Sequence, residues 1–415
     1  MNILIVAIGS QGDVNPFITI GIALQKRGHN VTILSNNYFR ESVQNAGLVF
    51  ASVGSTEDFN KMVDEVNTKN PTKTANVVMK YLYFASMQNV YDTIKKLFIP
   101  GDTIILGVTM AFGARLAQDK LGIPLITCHL SPISFPSVLH PAKMDGIWMP
   151  RWMPIFYKAG LWRLIEMLTD IFLKSPINKM CKKLDLPEAT SIIRHWIHSP
   201  DKVIGLFPGW FAEPQPDWPK NSVVTNFLFY DEADKNPISP KLEKFIARGK
   251  PPVIFTAGTA INNAVSFFKA SAEACDILNI RGVFLSRYKE HIPNDLSPNI
   301  HYCKYAPFSK LLPFSSALVH HGGIGTCAQA LRAGIPQLIT PFGFDQPDNS
   351  SRLKGFGVSY ELCLKKYKSS IVADKLEKLL ADKDVRARCN TLAAKLKNID
   401  PLSDVCQIIE DQMKK

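Results

Sequence analysis

Short, wholly apolar runs alternate along this chain with longer stretches in which apolar residues return every three or four positions. Residues 3–8 form the first such run, and 31–34, 104–108, 124–129, 203–207 and 223–225 repeat it. Continuous apolar runs of this length predict parallel strands covered on both faces. Between the first two, GSQGDVNP opens a helix with apolar positions at Ile18, Ile22 and Leu24 that closes at Gly28, and residues 111–121 supply the crossover helix of a second βαβ unit. A polar stretch at 231–240 reads as an interdomain linker. After it the alternation restarts, with strands at 253–256 and 282–285 and a helix at 262–278 between them. The pattern predicts an α/β chain of two Rossmann-like domains, 1–230 and 241–400, with ligand between facing strand ends.

The composition fits two cores. A chain of 415 residues, 46% hydrophobic and 20% charged, is globular and long enough for two domains. No apolar run is long enough to span a bilayer, and the N-terminus reads as a strand rather than a signal peptide. Eight cysteines without CxxC or Cys/His spacing imply reduced thiols and a cytoplasmic protein. The net charge is +12, most of it contributed after residue 240. With no nucleic-acid motif beside it, this charge points to an anionic small ligand or an anionic membrane rather than nucleic acid.

The densest chemistry lies between Tyr305 and Asn349. A strand at 316–319 runs into the turn HHGGIG and a helix at 326–333. Gly322, Gly323 and Gly325 let backbone approach a bulky anion, and the free N–H groups and dipole of the following helix suit a phosphate. His320 and His321 stand at the mouth as further donors. A second strand at 337–340 leads to Asp345 and Gln346, a carboxylate–amide pair suited to adjacent sugar hydroxyls. The arrangement points to a nucleotide-sugar site.

This stretch resembles the donor-binding signature of GT-B glycosyltransferases, the superfamily of glucuronosyl-, glucosyl-, sterol glucosyl- and antibiotic-tailoring transferases. The resemblance implies two Rossmann-like domains with parallel sheets facing across a cleft and a final helix, 401–415, packing back on the first domain. It places Tyr305 on the nucleobase, His321, Gly325 and Thr326 on the diphosphate, Gln329 near the ribose, and Asp345 and Gln346 on the sugar. Gly12, Thr259, His320, Gly322 and Gly323 complete the implied donor set. Phe308 and Gln329 depart from the family's usual glutamine and glutamate. The co-substrate implied is a dTDP- or UDP-hexose, with no metal and no resident cofactor; Asp382-x-Asp384 reads as surface. Over nearly the whole chain, GSQGDVNPF, LGVTMAFGARLA, WIHSPDKVIGLFPGWFAEPQPDWP and YAPFSKLLP look like the catalytic subunit of bacterial rhamnolipid rhamnosyltransferases. That likeness implies transfer of a hexose to the hydroxyl of a lipid acceptor.

All six tryptophans fall between Trp148 and Trp218, and residues 143–183 carry eight basic and three acidic side chains. One reading is an apolar acceptor mouth built from Phe135, Trp148, Trp152, Trp162 and Trp210 that also rests peripherally on the inner membrane. The other is a pair of packed helices with solvated lysines. Asp13, in QGDVNP where family members carry a histidine, is the candidate general base, and burial would raise its pKa toward that use. The alternative role for Asp13 is a helix cap. The competing functions are a sterol- or natural-product-tailoring glucosyltransferase and, further off, an epimerase or hydrolase on the same fold or a non-catalytic lipid-binding protein.

Overall fold

The computed structural model describes the chain apart from residues 67–70, 145, 148, 151, 232–236, 259–263, 398 and 415. It divides into two compact units, Met1–Leu228 with Asp400–Lys415, and Phe229–Ile399.

The first unit is built on seven strands: β1 (Asn2–Val6), β2 (Asn30–Asn36), β3 (Val49–Gly54), β4 (Thr103–Val108), β5 (Leu125–His129), β6 (Lys202–Gly205) and β7 (Ser222–Val224). Their order is β3-β2-β1-β4-β5-β6-β7, and every pairing is parallel. The second unit carries β8 (Val253–Thr256), β9 (Gly282–Leu285), β10 (Ile300–Cys303), β11 (Ala317–His320), β12 (Gln337–Ile339) and β13 (Ser359–Glu361). These lie in the order β10-β9-β8-β11-β12-β13, again all parallel. Seven helices matter below: α1 (Gln11–Lys26), α2 (Phe112–Leu121), α3 (Ile155–Lys183), α4 (Val265–Leu278), α5 (Ile324–Ala333), α6 (Gln346–Gly355) and α7 (Pro401–Met413).

β1, β4 and β5 are buried along their whole length, as strands sandwiched between helices must be. α1 turns Val14, Phe17, Ile18 and Leu24 inward, and α4 covers the second sheet with Phe268 against Phe284 and Phe267 edge-on beside Phe268. α7 belongs to the first unit, burying Val405, Cys406 and Ile409. Its Glu410 is held by Arg27 and His29, both at 3.0 Å.

Three expectations change. α1 starts at Gln11, so Pro16 lies inside it rather than ahead of it. Within the tryptophan-rich region, the stretch expected as a pair of helices is one helix of 29 residues; Pro176 sits within α3, where burial of Leu173, Ile177 and Met180 outweighs one missing hydrogen bond. The units divide between Leu228 and Phe229, ahead of the anticipated linker. Asp231 is already tied into the second unit, its carboxylate accepting from the Ser309 N–H at 2.7 Å and its carbonyl from the Tyr305 hydroxyl.

Candidate active site

In an open parallel sheet, ligands bind beyond the carboxyl ends of the strands where the strand order reverses. The first sheet reverses between β1 and β4, the second between β8 and β11. Both crevices carry the chemistry.

Beyond β1 the chain turns at Gly9 (φ +143°), where a Cβ would fall 2.4 Å from the Asp13 carboxylate. A glycine there leaves the space that Asp13 fills. Asp13 is in the first turn of α1, and its Oδ2 accepts from the Ser10 N–H at 2.7 Å and the Ser10 hydroxyl at 2.9 Å. Among the described residues Oδ1 makes no such bond, so one carboxylate oxygen is anchored and the other is available. Burial raises the Asp13 pKa, and the two Ser10 bonds only partly oppose it. Helix-cap partner and proton acceptor are therefore compatible roles for one side chain. Tyr83, from the π-helical turn Met79–Phe84, has its phenol pKa raised by burial and, next, by the charge of Asp13.

Beyond β4, Thr109 opens a buried relay absent from the sequence reading. Its hydroxyl is 2.9 Å from His129 Nδ1, His129 Nε2 is 2.9 Å from His198 Nδ1, and His198 Nε2 is 3.1 Å from the Ile193 carbonyl. The carbonyl can only accept, which fixes every proton in turn: His198 donates to Ile193, His129 to His198, and Thr109 to His129. Both rings are neutral. Burial lowers the His198 pKa to about 4 and holds His129 well below its ordinary value.

In the second crevice, β11 delivers His320 and His321. His320 is fully buried, its Nε2–H donating to Gln337 Oε1 at 2.9 Å and its Nδ1 accepting from the Gly322 N–H at 3.1 Å. It shapes the turn and has no nitrogen left for a phosphate, a correction to the expectation above. His321 lies against Gly258, where a Cβ would stand 2.8 Å from its Cε1. Burial lowers its pKa to about 4, so the ring is neutral at pH 7, and Nδ1 is buried without a hydrogen-bond partner among the described residues. Gly322 takes φ +94°, and Gly323 precedes the first turn of α5, where the N–H groups of Ile324, Gly325 and Thr326 have no partner within the helix.

The Asp345 loop closes on the same turn. Asn349, fully buried, donates to the Gly322 carbonyl at 3.1 Å and to Asp345 Oδ2 at 2.7 Å. This positioning residue was not assigned from the sequence. Gln346 Oε1 accepts from the Phe342 and Gly343 N–H groups at 2.7 and 3.2 Å, so its oxygen holds the loop and its amide nitrogen is the part left for a ligand. Phe344, just before, is exposed at φ +58°, a conformation bulky residues adopt at a cost.

The other residues of the expected set differ in accessibility. Gln329 is only 8% exposed in the middle of α5, poorly accessible to a ribose. Tyr305 is exposed, and Gly12 lies on the exposed first turn of α1. Thr259 and Trp148 lie outside the described residues. Phe135 and Trp162 are core residues: Phe135 stacks on Trp218 at 4.3 Å between centroids, and the Trp162 indole donates to the Ser137 carbonyl at 2.9 Å. Trp152 is exposed, and Trp210 meets Phe211 and Phe227 edge-on. Phe135 and Trp162 are therefore held in the core, while Trp152 faces solvent. A hollow of about 840 Å³ in the first unit is lined by Trp196, Trp218, Pro200 and Asn221. Much of that lining precedes β6 and β7, at the opposite strand ends from Asp13, so it is not where an acceptor hydroxyl would meet the carboxylate. Asp382 caps the helix Lys383–Lys395, accepting from the Val385 N–H at 2.9 Å.

Comparison with known proteins identifies the two halves of the chain. Residues 3–135 match the glycosyltransferase family 28 N-terminal domain, and residues 283–411 match the C-terminal domain of erythromycin biosynthesis protein CIII-like proteins. The chain is a GT-B glycosyltransferase. Over 99% of its length this glycosyltransferase is 26% identical to the O-mycaminosyltylonolide 6-deoxyallosyltransferase of Streptomyces fradiae, covering 97% of that protein. It is also 26% identical to the sterol 3-beta-glucosyltransferase of Candida albicans, matching along 96% of its own length but spanning only 27% of that longer protein. Its fold is shared with the glycotransferase of kitacinnamycin (TM-score 0.75, 17% identity, 99% of each chain). A spinosyn rhamnosyltransferase complexed with thymidine diphosphate has the same fold (TM-score 0.66, 17% identity, 98% of this chain and all of that one).

Proposed function

We propose that this glycosyltransferase moves a hexose, with inversion at C1, from a dTDP- or UDP-hexose to a hydroxyl of a hydrophobic lipid acceptor of the rhamnolipid type, taken from a membrane surface. The observation that carries this is the match between topology and chemistry: a half-anchored carboxylate with raised pKa at one switch point, and a glycine turn, neutral imidazole and helix N-terminus at the other. The acceptor oxygen attacks C1 while its proton passes to Asp13 Oδ1. The bond from C1 to the β-phosphate oxygen breaks from the other face, and the diphosphate leaves with its charge against the first turn of α5 and His321. Asp345 and the Gln346 amide nitrogen hold the sugar hydroxyls.

A lipid acceptor predicts a chain-length series. Each added methylene that is buried should strengthen acceptor binding by at most about 0.8 kcal/mol, read as a falling KM for 3-hydroxyacyl acceptors of increasing length. A flat series, or preference for a polar aglycone, would favour the second reading, a sterol- or natural-product-tailoring glycosyltransferase. The names of the 26% identical relatives support that alternative.

The donor half has its own test. Gly258→Ala places a Cβ within 3.0 Å of three His321 ring atoms at a residue with φ +90°. Turning His321 away should weaken thymidine or uridine diphosphate about tenfold, the worth of one charge-assisted hydrogen bond. Calorimetric titration reads this directly, and unchanged affinity in a folded variant would remove His321 from the diphosphate site.

A further inference from the structure

α3 has two unlike faces. One carries Trp162, Leu173, Ile177, Met180 and Cys181 into the core. The other leaves Phe156, Leu164, Met167, Leu168 and Ile171 exposed, Ile171 at 69%. These five recur at helical spacing with Gly160 among them, an apolar stripe of about 22 Å at 1.5 Å per residue. Exposed Trp152 stands just before its start, and Lys179, Lys182 and Lys183 follow its end. A stripe this continuous marks an interaction site.

Charge says what covers it. α3 contains six basic residues and two acidic ones. Lys158 is buried and Lys174 pairs with Asp170 at 3.0 Å, so Arg163, Lys179, Lys182 and Lys183 are the outward cations. Both acids turn inward. Asp170 is buried, accepting from the N–H groups of Ser191 and Ile192 at 3.1 and 2.9 Å. Glu166 is partly buried and faces Arg194 at 3.9 Å. The solvent side of α3 therefore offers apolar groups and cations, with Arg163 exposed beside the stripe, and no exposed carboxylate. A second copy would bring the same excess of cations and no exposed carboxylate on this face to pair with them. Anionic lipid headgroups complement them. No helix among the described residues is long and apolar enough to cross a membrane.

We propose that the outward face of α3 docks in the plane of an anionic bilayer, its apolar stripe at the acyl boundary and its cations at headgroup level. This rests on the lipid-acceptor reading for its purpose, delivering acceptor from the membrane, but the face itself is defined by exposure and charge.

The test is co-sedimentation of the full-length protein with phosphatidylcholine vesicles, with and without phosphatidylglycerol. Binding should need phosphatidylglycerol and weaken at high salt. The combined Leu164→Gln, Leu168→Gln and Ile171→Gln variant should lose at least tenfold in partition coefficient. Arg163→Gln and Lys179→Gln, which leave the stripe intact and serve if the first variant does not fold, should each lose about fivefold. Wild-type protein that ignores phosphatidylglycerol vesicles, or folded variants that bind as wild type, would overturn the proposal. So would a dimer in light scattering that the stripe variant makes monomeric without any vesicle binding. Transfer to an acceptor free in solution should be unchanged in every variant, so failure of docking and failure of the acceptor reading are told apart.

Discussion

Asp13→Asn is expected to slow transfer by roughly 10²–10⁴, the usual worth of a general base, while leaving the fold and donor affinity intact. The structure makes this substitution unusually clean. The asparagine carbonyl oxygen can still accept both Ser10 bonds that anchor Oδ2, so the first turn of α1 keeps its cap. Only proton acceptance is lost. Asp13→Ala removes both functions and should add about 1 kcal/mol of destabilisation from the missing cap partner. The reading is the single-turnover rate with donor and acceptor saturating, alongside the melting temperature. A rate within about threefold of wild type, far short of the general-base range, would leave Asp13 as a cap and nothing more. A lowered melting temperature in Asp13→Asn itself would show that the carboxylate's charge matters to the fold.

The second large effect is acid instability. His198 and His321 are held at about 4 and His320 at about 3, all chiefly by burial, and His129 well below its ordinary value. Unfolded, each titrates near 6.5. Between pH 6.5 and about 4 the unfolded chain therefore binds more protons than the folded one, and stability falls as pH falls through that window. Each such proton is worth about 1.4 kcal/mol per pH unit. Urea midpoints at pH 7.5 and 5.0 should differ strongly for both units, since two of these rings lie in each. His320→Gln, whose amide can take over much of the bonding to Gln337 and Gly322, should shrink the pH dependence of the second unit by up to one proton. Equal midpoints at the two pH values would mean that the rings titrate normally.

Much of this architecture was legible because burial on both faces writes itself into the chain. β1, β4, β8 and β9 are unbroken apolar runs, and the turn after β11 announces itself by its glycines. β3, β10 and β13 were missed for one reason: each is the edge of its sheet, half covered, and needs no such run. The relay from Thr109 through His129 to His198 joins residues 20 and 69 positions apart, a proximity created by the β4–β5–β6 pairing. Asn349 escaped notice similarly, since its value lies in touching Gly322, 27 residues away. His320 and His321 looked equivalent as neighbours, but alternation along a strand sends one into the core and the other toward the crevice. The pair of helices expected there is one continuous helix at 155–183, because tertiary burial overrides the single helix breaker Pro176 within it.

The central claim, transfer from a nucleotide sugar to a lipid hydroxyl with inversion, is tested most directly by product analysis. The protein is supplied with dTDP-rhamnose or UDP-glucose and a 3-hydroxyacyl acceptor, and products are read by mass spectrometry and by the anomeric proton resonance. The account predicts one hexose added to the acceptor, nucleoside diphosphate released in equal amount, and an anomeric configuration opposite to that of the donor. Free hexose or an epimerised nucleotide sugar, with the acceptor unmodified, would contradict it.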